Sequence, residues 1–152
     1  MEKLAIGADH AGVNLKRFLV ENLKSVSWID VGAASSESVD YPDYAEKACR
    51  LVTEGEASRA VLVCGSGIGM SIAANKIRGI RAAHAESSFT AQLAGEHNRA
   101  NVLCLGERIT APHYALAMVE AWLRAEFGGS GAKDDVKNRH QRRIEKIHQL
   151  ET

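Results

Sequence analysis

Proline is scarce in this chain, at 2 of 152 residues, and with 45% hydrophobic and 25% charged residues the composition excludes a disordered or low-complexity polypeptide. Net charge is absent as well, because 19 basic and 19 acidic residues cancel. No global positive field draws the chain onto nucleic acid or an anionic membrane, so neither is expected as a partner and any anion site must be local. No apolar run approaches the roughly 20 residues that span a bilayer. Met1-Glu2-Lys3 leads straight into Leu4-Ala5-Ile6 without the pattern of a signal peptide. Cysteine is limited to 3 residues, an odd number, which argues against a disulfide framework and for reduced thiols. The expectation is a cytoplasmic protein of one domain, able to bury roughly 70% of the surface its unfolded chain exposes.

Short apolar runs alternate with longer helical patterns, the arrangement of parallel strands joined by crossover helices. The runs predict strands at Leu4 to Ala8, Trp28 to Val31, Ala60 to Cys64, Arg81 to Ala85 and Val102 to Leu105. Helical periodicity predicts helices at Val13 to Leu23, Tyr44 to Val52, Met70 to Ile77, Phe89 to Glu96 and Pro112 to Phe127. The fold class is therefore a three-layer α/β/α domain with a five-stranded parallel sheet, spanning residues 1–127. Residues 128–152 begin with Gly128-Gly129-Ser130-Gly131, a flexible break, and continue as a C-terminal helical arm over Val136 to Leu150. Its narrow apolar stripe of Ile144, Ile147 and Leu150 must pack on a neighbour, so the arm is expected to complete a site or an assembly.

The third strand ends in Cys64 and runs into Gly65-Ser66-Gly67-Ile68-Gly69, so a thiol and a hydroxyl sit where a strand meets a helix. Ligands bind at such crevices. The glycines let backbone approach a ligand closely, and the unpaired N–H groups of a helix's first turn attract anions. A thiol placed there is in a field that stabilises thiolates, and a thiolate can take a proton from carbon if fixed N–H donors hold the charge left on the substrate oxygens. A tight strand-to-helix turn with a half-buried thiol is the simpler alternative. Two nucleotide motifs fail: no Gly-Lys-Ser/Thr follows for a phosphate-binding loop, and Met70 occupies the third glycine position of a dinucleotide finger. Glu86, about 20 residues on, keeps a dinucleotide reading open.

Asp9 and His10 leave the first strand directly, and the ends of the first and third strands of a doubly wound sheet are usually neighbours, so they should face the glycine loop. His97-Asn98 falls between a helix and the fifth strand, at the other end of the sheet. A five-residue strand puts roughly 15 Å between those ends. If His97 is catalytic, it must reach the thiol of a second subunit. Arg139 and Arg143, four apart, share a helix face and can clamp a phosphate, and Arg108 follows the fifth strand; a solvated basic face is the default for such a pair. His84, Cys49 and Cys104 have core-like neighbours and read as structural. The 6 histidines show no tight metal-ligand spacing, so no metal is expected.

Gly7-Ala8-Asp9-His10-Ala11-Gly12, Asp40-Tyr41-Pro42-Asp43-Tyr44, Cys64 to Gly69 with Ala73-Ala74-Asn75-Lys76, and His97-Asn98 with Gly106-Glu107-Arg108 together resemble the ribose-5-phosphate isomerase B family. This family also contains allose- and galactose-6-phosphate isomerases. The resemblance spans nearly the whole chain in order. It implies a Rossmann-like sheet, an aldose-ketose isomerase acting on a sugar phosphate through an enediolate without metal or cofactor, and a homodimer or dimer of dimers with shared sites. Cys64 resembles the base, with Ser66 beside it. Members lacking that cysteine carry a glutamate at the start of the next helix, where this chain has Met70. His97 resembles the ring-opening acid, with Asp9, Asn98 and Tyr41 near the sugar hydroxyls. His10, Arg108, Arg139 and Arg143 resemble the phosphate ligands, and the amides of Gly65, Gly67, Ile68 and Gly69 the enediolate cradle. The segment Gly128 to Asn138 is longer than the family pattern.

Two other readings stay open on the residues alone. A non-catalytic sugar-phosphate or nucleotide binding module would keep the anion-binding loop and have little use for a base. A cysteine hydrolase would use Cys64 and a histidine, although no orienting Asp or Asn for that histidine is evident.

Overall fold

The structure, a computed structural model, describes residues 1–152. Strands and helices alternate as β1 (Glu2–Ala8), α1 (Val13–Asn22), β2 (Val26–Asp30), α2 (Tyr41–Thr53), β3 (Arg59–Cys64), α3 (Ile68–Ala74), β4 (Ala82–His84), α4 (Ser88–Asn98), β5 (Val102–Gly106), α5 (Pro112–Arg124) and α6 (Asp134–His148). The strands form one sheet in the order β2-β1-β3-β5-β4, and every pairing is parallel. None of the helices is long and apolar enough to cross a membrane.

The central strands read as unbroken apolar runs because both of their faces are covered. Leu4, Ile6 and Ala8 of β1, Val61 and Val63 of β3, and Leu103 and Leu105 of β5 pack beneath α1, α4 and α5 around the fully buried Trp122. Their alternates, Ala5, Leu62, Cys64 and Cys104, pack beneath α2 and α3. The three-layer α/β/α architecture follows directly.

Chain direction fixes where function can sit. From β1 the next strand lies on one side, whereas β3 leads to β5 and β4 on the other, so the crevice beyond Ala8 and Val63, which are register partners, is the topological switch point. Cys64 pairs with Gly106 one step further along.

Several boundaries differ from the periodicity. α2 starts at Tyr41 rather than Tyr44, because Asp40 is its N-cap and Pro42 fits the first turn. α3 runs from Ile68 to Ala74 rather than Met70 to Ile77, and α5 ends at Arg124 rather than Phe127. α4 opens with a reciprocal Ser87–Thr90 capping box and continues to Asn98, stopping only where Arg99 turns left-handed at φ 43°. His97 and Asn98 thus lie in its last turn, not in the connection that follows. In the segment expected as a flexible break, Gly128, Gly129 and Gly131 all adopt positive φ. The Gly128 N–H donates to the Glu96 carbonyl at 2.7 Å, so the segment is fastened to α4. α6 then runs Asp134–His148, starting and ending earlier than Val136 to Leu150, and packs on α4, where His140 meets His97; Ile144 is buried, whereas Ile147 and Leu150 stay exposed.

Candidate active site

At the switch point a cavity of about 560 Å³ is lined by Asp9, His10, Tyr41, Cys64, Gly65, Ser66, Ile68, Gly69 and Arg108, together with Ala11, Ile72 and Ile109. Nine of the expected site residues therefore share one space. Asp9 is buried, and its carboxylate accepts the Ala11 N–H at 2.9 Å, which bends the chain after β1 before α1 begins behind Gly12. Asp9 thus closes a local turn, and Gly12 is the N-cap of α1. His10 Nδ1 accepts the Val39 N–H at 3.2 Å, so in the neutral ring Nε2 carries the proton and remains as a donor.

The glycine loop is packed from three directions. Cys64, at the end of β3, accepts the Gly67 N–H on Sγ at 3.1 Å, a donor that stabilises negative charge on sulfur. Ser66 Oγ accepts the Ile68 N–H at 3.2 Å, which leaves its hydroxyl proton free to donate. The Arg108 guanidinium lies over Gly65, where an added Cβ would come within 3.1 Å of it, and the Arg108 backbone N–H donates to the Gly65 carbonyl at 3.0 Å. The Tyr41 ring lies against Gly69, where a Cβ would come within 2.6 Å.

Gly67 is the one glycine of this loop in the left-handed region. It has φ 80°, and a Cβ there would meet the His84 ring at 2.7 Å and the Leu105 backbone at 2.9 Å. Gly67→Ala is expected to destabilise the fold by about 2–4 kcal/mol, the sum of left-handed backbone strain and overpacking. Urea unfolding measures this; a loss below about 1 kcal/mol would mean that the loop relaxes freely.

The other expected residues lie elsewhere. Asn98 precedes β5, whose far end carries Gly106 beside Cys64, so His97 and Asn98 are separated from the cavity by the length of the sheet. There the Asn98 carbonyl accepts Arg81 Nε at 3.0 Å. The half-buried His97 stacks on His140 with ring centroids 4.4 Å apart and planes 12° from parallel. Burial first, then the neighbouring His97, Arg139 and Arg143, hold His140 below the ordinary imidazole value. Arg139 and Arg143 are exposed on the same helix. The chain thus presents two polar clusters at opposite ends of its sheet.

Burial pushes the Cys49 thiol up to about 12, and burial, with Cys49 and Cys64 adding, pushes Cys104 well above its ordinary value. Both stay protonated and inert. No three His, Cys, Asp or Glu side chains lie close enough together to hold a metal ion. A second cavity, of about 460 Å³ beside α1, contains the buried Lys16, whose ammonium is already satisfied by Asp30 at 2.7 Å and the Ala33 carbonyl at 2.7 Å. The remaining cation of its lining, Arg17, is exposed to solvent.

Two residues outside the expected site shape the loop: Glu107, which had no role assigned, and His84, read from sequence as structural. Glu107 accepts the Leu15 N–H, tying α1 to the loop after β5. His84 backs Gly67, with Nε2 buried and unpartnered, 3.9 Å from Glu86. The close pairing of β4 with β5 was the only available signal, and three residues of strand give a weak one.

Comparison with known proteins agrees with this geometry. A family model for ribose/galactose isomerase matches residues 4–147. Ribose-5-phosphate isomerase B of Escherichia coli is 42% identical, with 99% of this chain and 97% of that protein covered. A D-erythrulose-4-phosphate isomerase of Pectobacterium atrosepticum is 39% identical over 90% of this chain and 92% of its own. Among solved structures, ribose-5-phosphate isomerase B of Clostridium thermocellum superposes with a TM-score of 0.90 at 46% identity, covering 98% of this chain and 97% of that one. Fold, motif order and full-length similarity place the chain together with these enzymes: it belongs to the ribose/galactose isomerase family.

Proposed function

We propose that the protein interconverts ribose 5-phosphate and ribulose 5-phosphate by ring opening and an enediolate, with Cys64 as base and no metal or cofactor. The observation that carries this reading is the thiol at the mouth of the glycine loop, held by the Gly67 N–H and sharing its cavity with Asp9, His10 and Arg108. In this mechanism His97 protonates the ring oxygen as the C1 hydroxyl loses its proton, giving the open aldehyde. The Cys64 thiolate then takes the C2 proton. Electrons move into the C1–C2 bond and onto the oxygens, where the amides of Gly65 and Gly69 and the Ser66 hydroxyl hold the charge, the Gly67 and Ile68 N–H groups expected to join them being already donated to Cys64 Sγ and Ser66 Oγ; a single donor of this kind is worth about 10²–10³ in rate. Return of the proton to C1, with the O2 hydroxyl proton passing to O1 as C2 becomes the carbonyl, gives the ketose. Asp9, Asn98 and Tyr41 hold hydroxyls.

His97 and Cys64 must meet on one sugar, so the active unit is a homodimer or dimer of dimers with each site built from two chains. Exposed Ile68, Ile72 and Ile109 around the cavity mouth support docking there. Incubation with ribose 5-phosphate in deuterium oxide tests the reaction. Ribulose 5-phosphate carrying deuterium from solvent is expected; tight binding without turnover would leave a binding module instead.

Arg139 and Arg143 clamp the phosphate with His10 and Arg108. Arg143→Ala is expected to weaken ribose 5-phosphate binding by about 10²-fold, within the range for losing a charged hydrogen-bond partner. An unphosphorylated sugar should bind unchanged. Equal losses for both in calorimetry would assign Arg143 to packing of α6.

A further inference from the structure

We propose that His140 is a positioning residue for His97, fixing the plane of the ring-opening imidazole from the same helix that carries the phosphate-binding arginines. This rests on the reading of His97 as ring-opening acid. The torsion that turns a histidine ring is broad, so the backbone of α4 does not by itself decide which way the nitrogens of His97 point. His140 supplies the missing constraint. Its ring lies 4.4 Å from that of His97, only 12° from parallel, so His97 can slide within its plane but not tilt out of it.

The support is itself supported. His140 is 7% exposed, and Phe127 meets it edge-on at 6.3 Å and 64°. Arg99 then caps Phe127 with its guanidinium 4.0 Å from the ring centroid. The result is a layered stack of His97, His140, Phe127 and Arg99 across α4, the α5–α6 connection and α6. Arg139 and Arg143 flank His140 in sequence, one before it and three after. A phosphate drawn onto those arginines therefore engages the helix that holds the acid in plane, and substrate binding and ring opening share one rigid element. A misplacement of about 1 Å at a reacting group costs on the order of 10²-fold, which sets the expected effect.

The ring-opening step can be read alone in the Cys64→Ala protein, where proton transfer between carbons is blocked. Opening and reclosing exchange the two anomers of ribose 5-phosphate, and carbon-13 exchange NMR measures that rate. Cys64→Ala should accelerate anomer exchange; adding His140→Ala should lower the acceleration by about 10–100-fold. Adding His140→Phe, which keeps a flat ring in the stack, should leave it within about threefold. Ribose 5-phosphate binding by calorimetry should change little in either. If His140→Ala exchanges anomers as fast as its parent, or if the Phe variant binds normally yet is as slow as the Ala variant, the positioning role is wrong. If Cys64→Ala gives no acceleration although the wild type isomerises, the ring-opening assignment of His97 fails and this proposal with it. A wild type that does not isomerise would overturn the proposed function itself. Should His140→Ala unfold, the Phe comparison and the binding measurement still decide.

Discussion

Cys64→Ala is expected to lower isomerase turnover by at least about 10³-fold while ribose 5-phosphate binding changes by less than about 1 kcal/mol, because the substitution removes the only proposed base for carbon and leaves the phosphate groups in place. Nothing else in the cavity takes over the role. Asp9 accepts the Ala11 N–H on Oδ1 and is assigned to a sugar hydroxyl with its other oxygen, His10 Nδ1 accepts the Val39 N–H, and Met70 stands where a glutamate would be needed. Steady-state kinetics and calorimetry check both halves. Turnover above about a tenth of wild type, a loss of under 1.4 kcal/mol, would transfer the base to another group. Alkylation gives an independent reading, since Cys49 and Cys104 are buried with raised pKa values and only Cys64 lines the cavity. One equivalent of reagent should inactivate the enzyme, and bound substrate should slow that loss.

Much of this site could be read from sequence because its parts are local. Cys64, Ser66 and the glycines are contiguous, and Asp9-His10 follows an apolar run whose neighbour in the sheet is dictated by parallel topology. Helix ends were harder to see. Tyr41-Pro42-Asp43 carries no apolar period, so the start of α2, which brings the Tyr41 ring onto Gly69, gave no periodic signal. α4 ends at a left-handed Arg99 instead of a glycine, so nothing marked His97 and Asn98 as helical. His140 was invisible for another reason. Its contact with His97 exists only because glycine turns at 128–131 fold α6 back on α4, and a contact made across 43 residues of chain has no local signature.

Mixing two inactive proteins is expected to restore activity. Cys64→Ala and His97→Ala homodimers should each be nearly dead, since every site lacks either its base or its ring-opening acid. The geometry makes the mixed dimer informative: Cys64 follows β3 at one end of the sheet, His97 closes α4 at the other, and one small sugar cannot span both within a chain. If each site takes Cys64 from one chain and His97 from its partner, two-fold symmetry puts both defects into one site of the mixed dimer and none into the other. Co-expression under two affinity tags and purification of the doubly tagged species should then recover about half of wild-type turnover, by that count of intact sites. His97, His140, Arg139 and Arg143 travel together on one chain, so the intact site inherits a complete acid and phosphate cluster as well as a complete thiol loop. If both residues came from the same chain, every site would keep one defect and no activity would return. A mixed species that is folded and dimeric by light scattering yet as inactive as its parents would therefore eliminate the shared site.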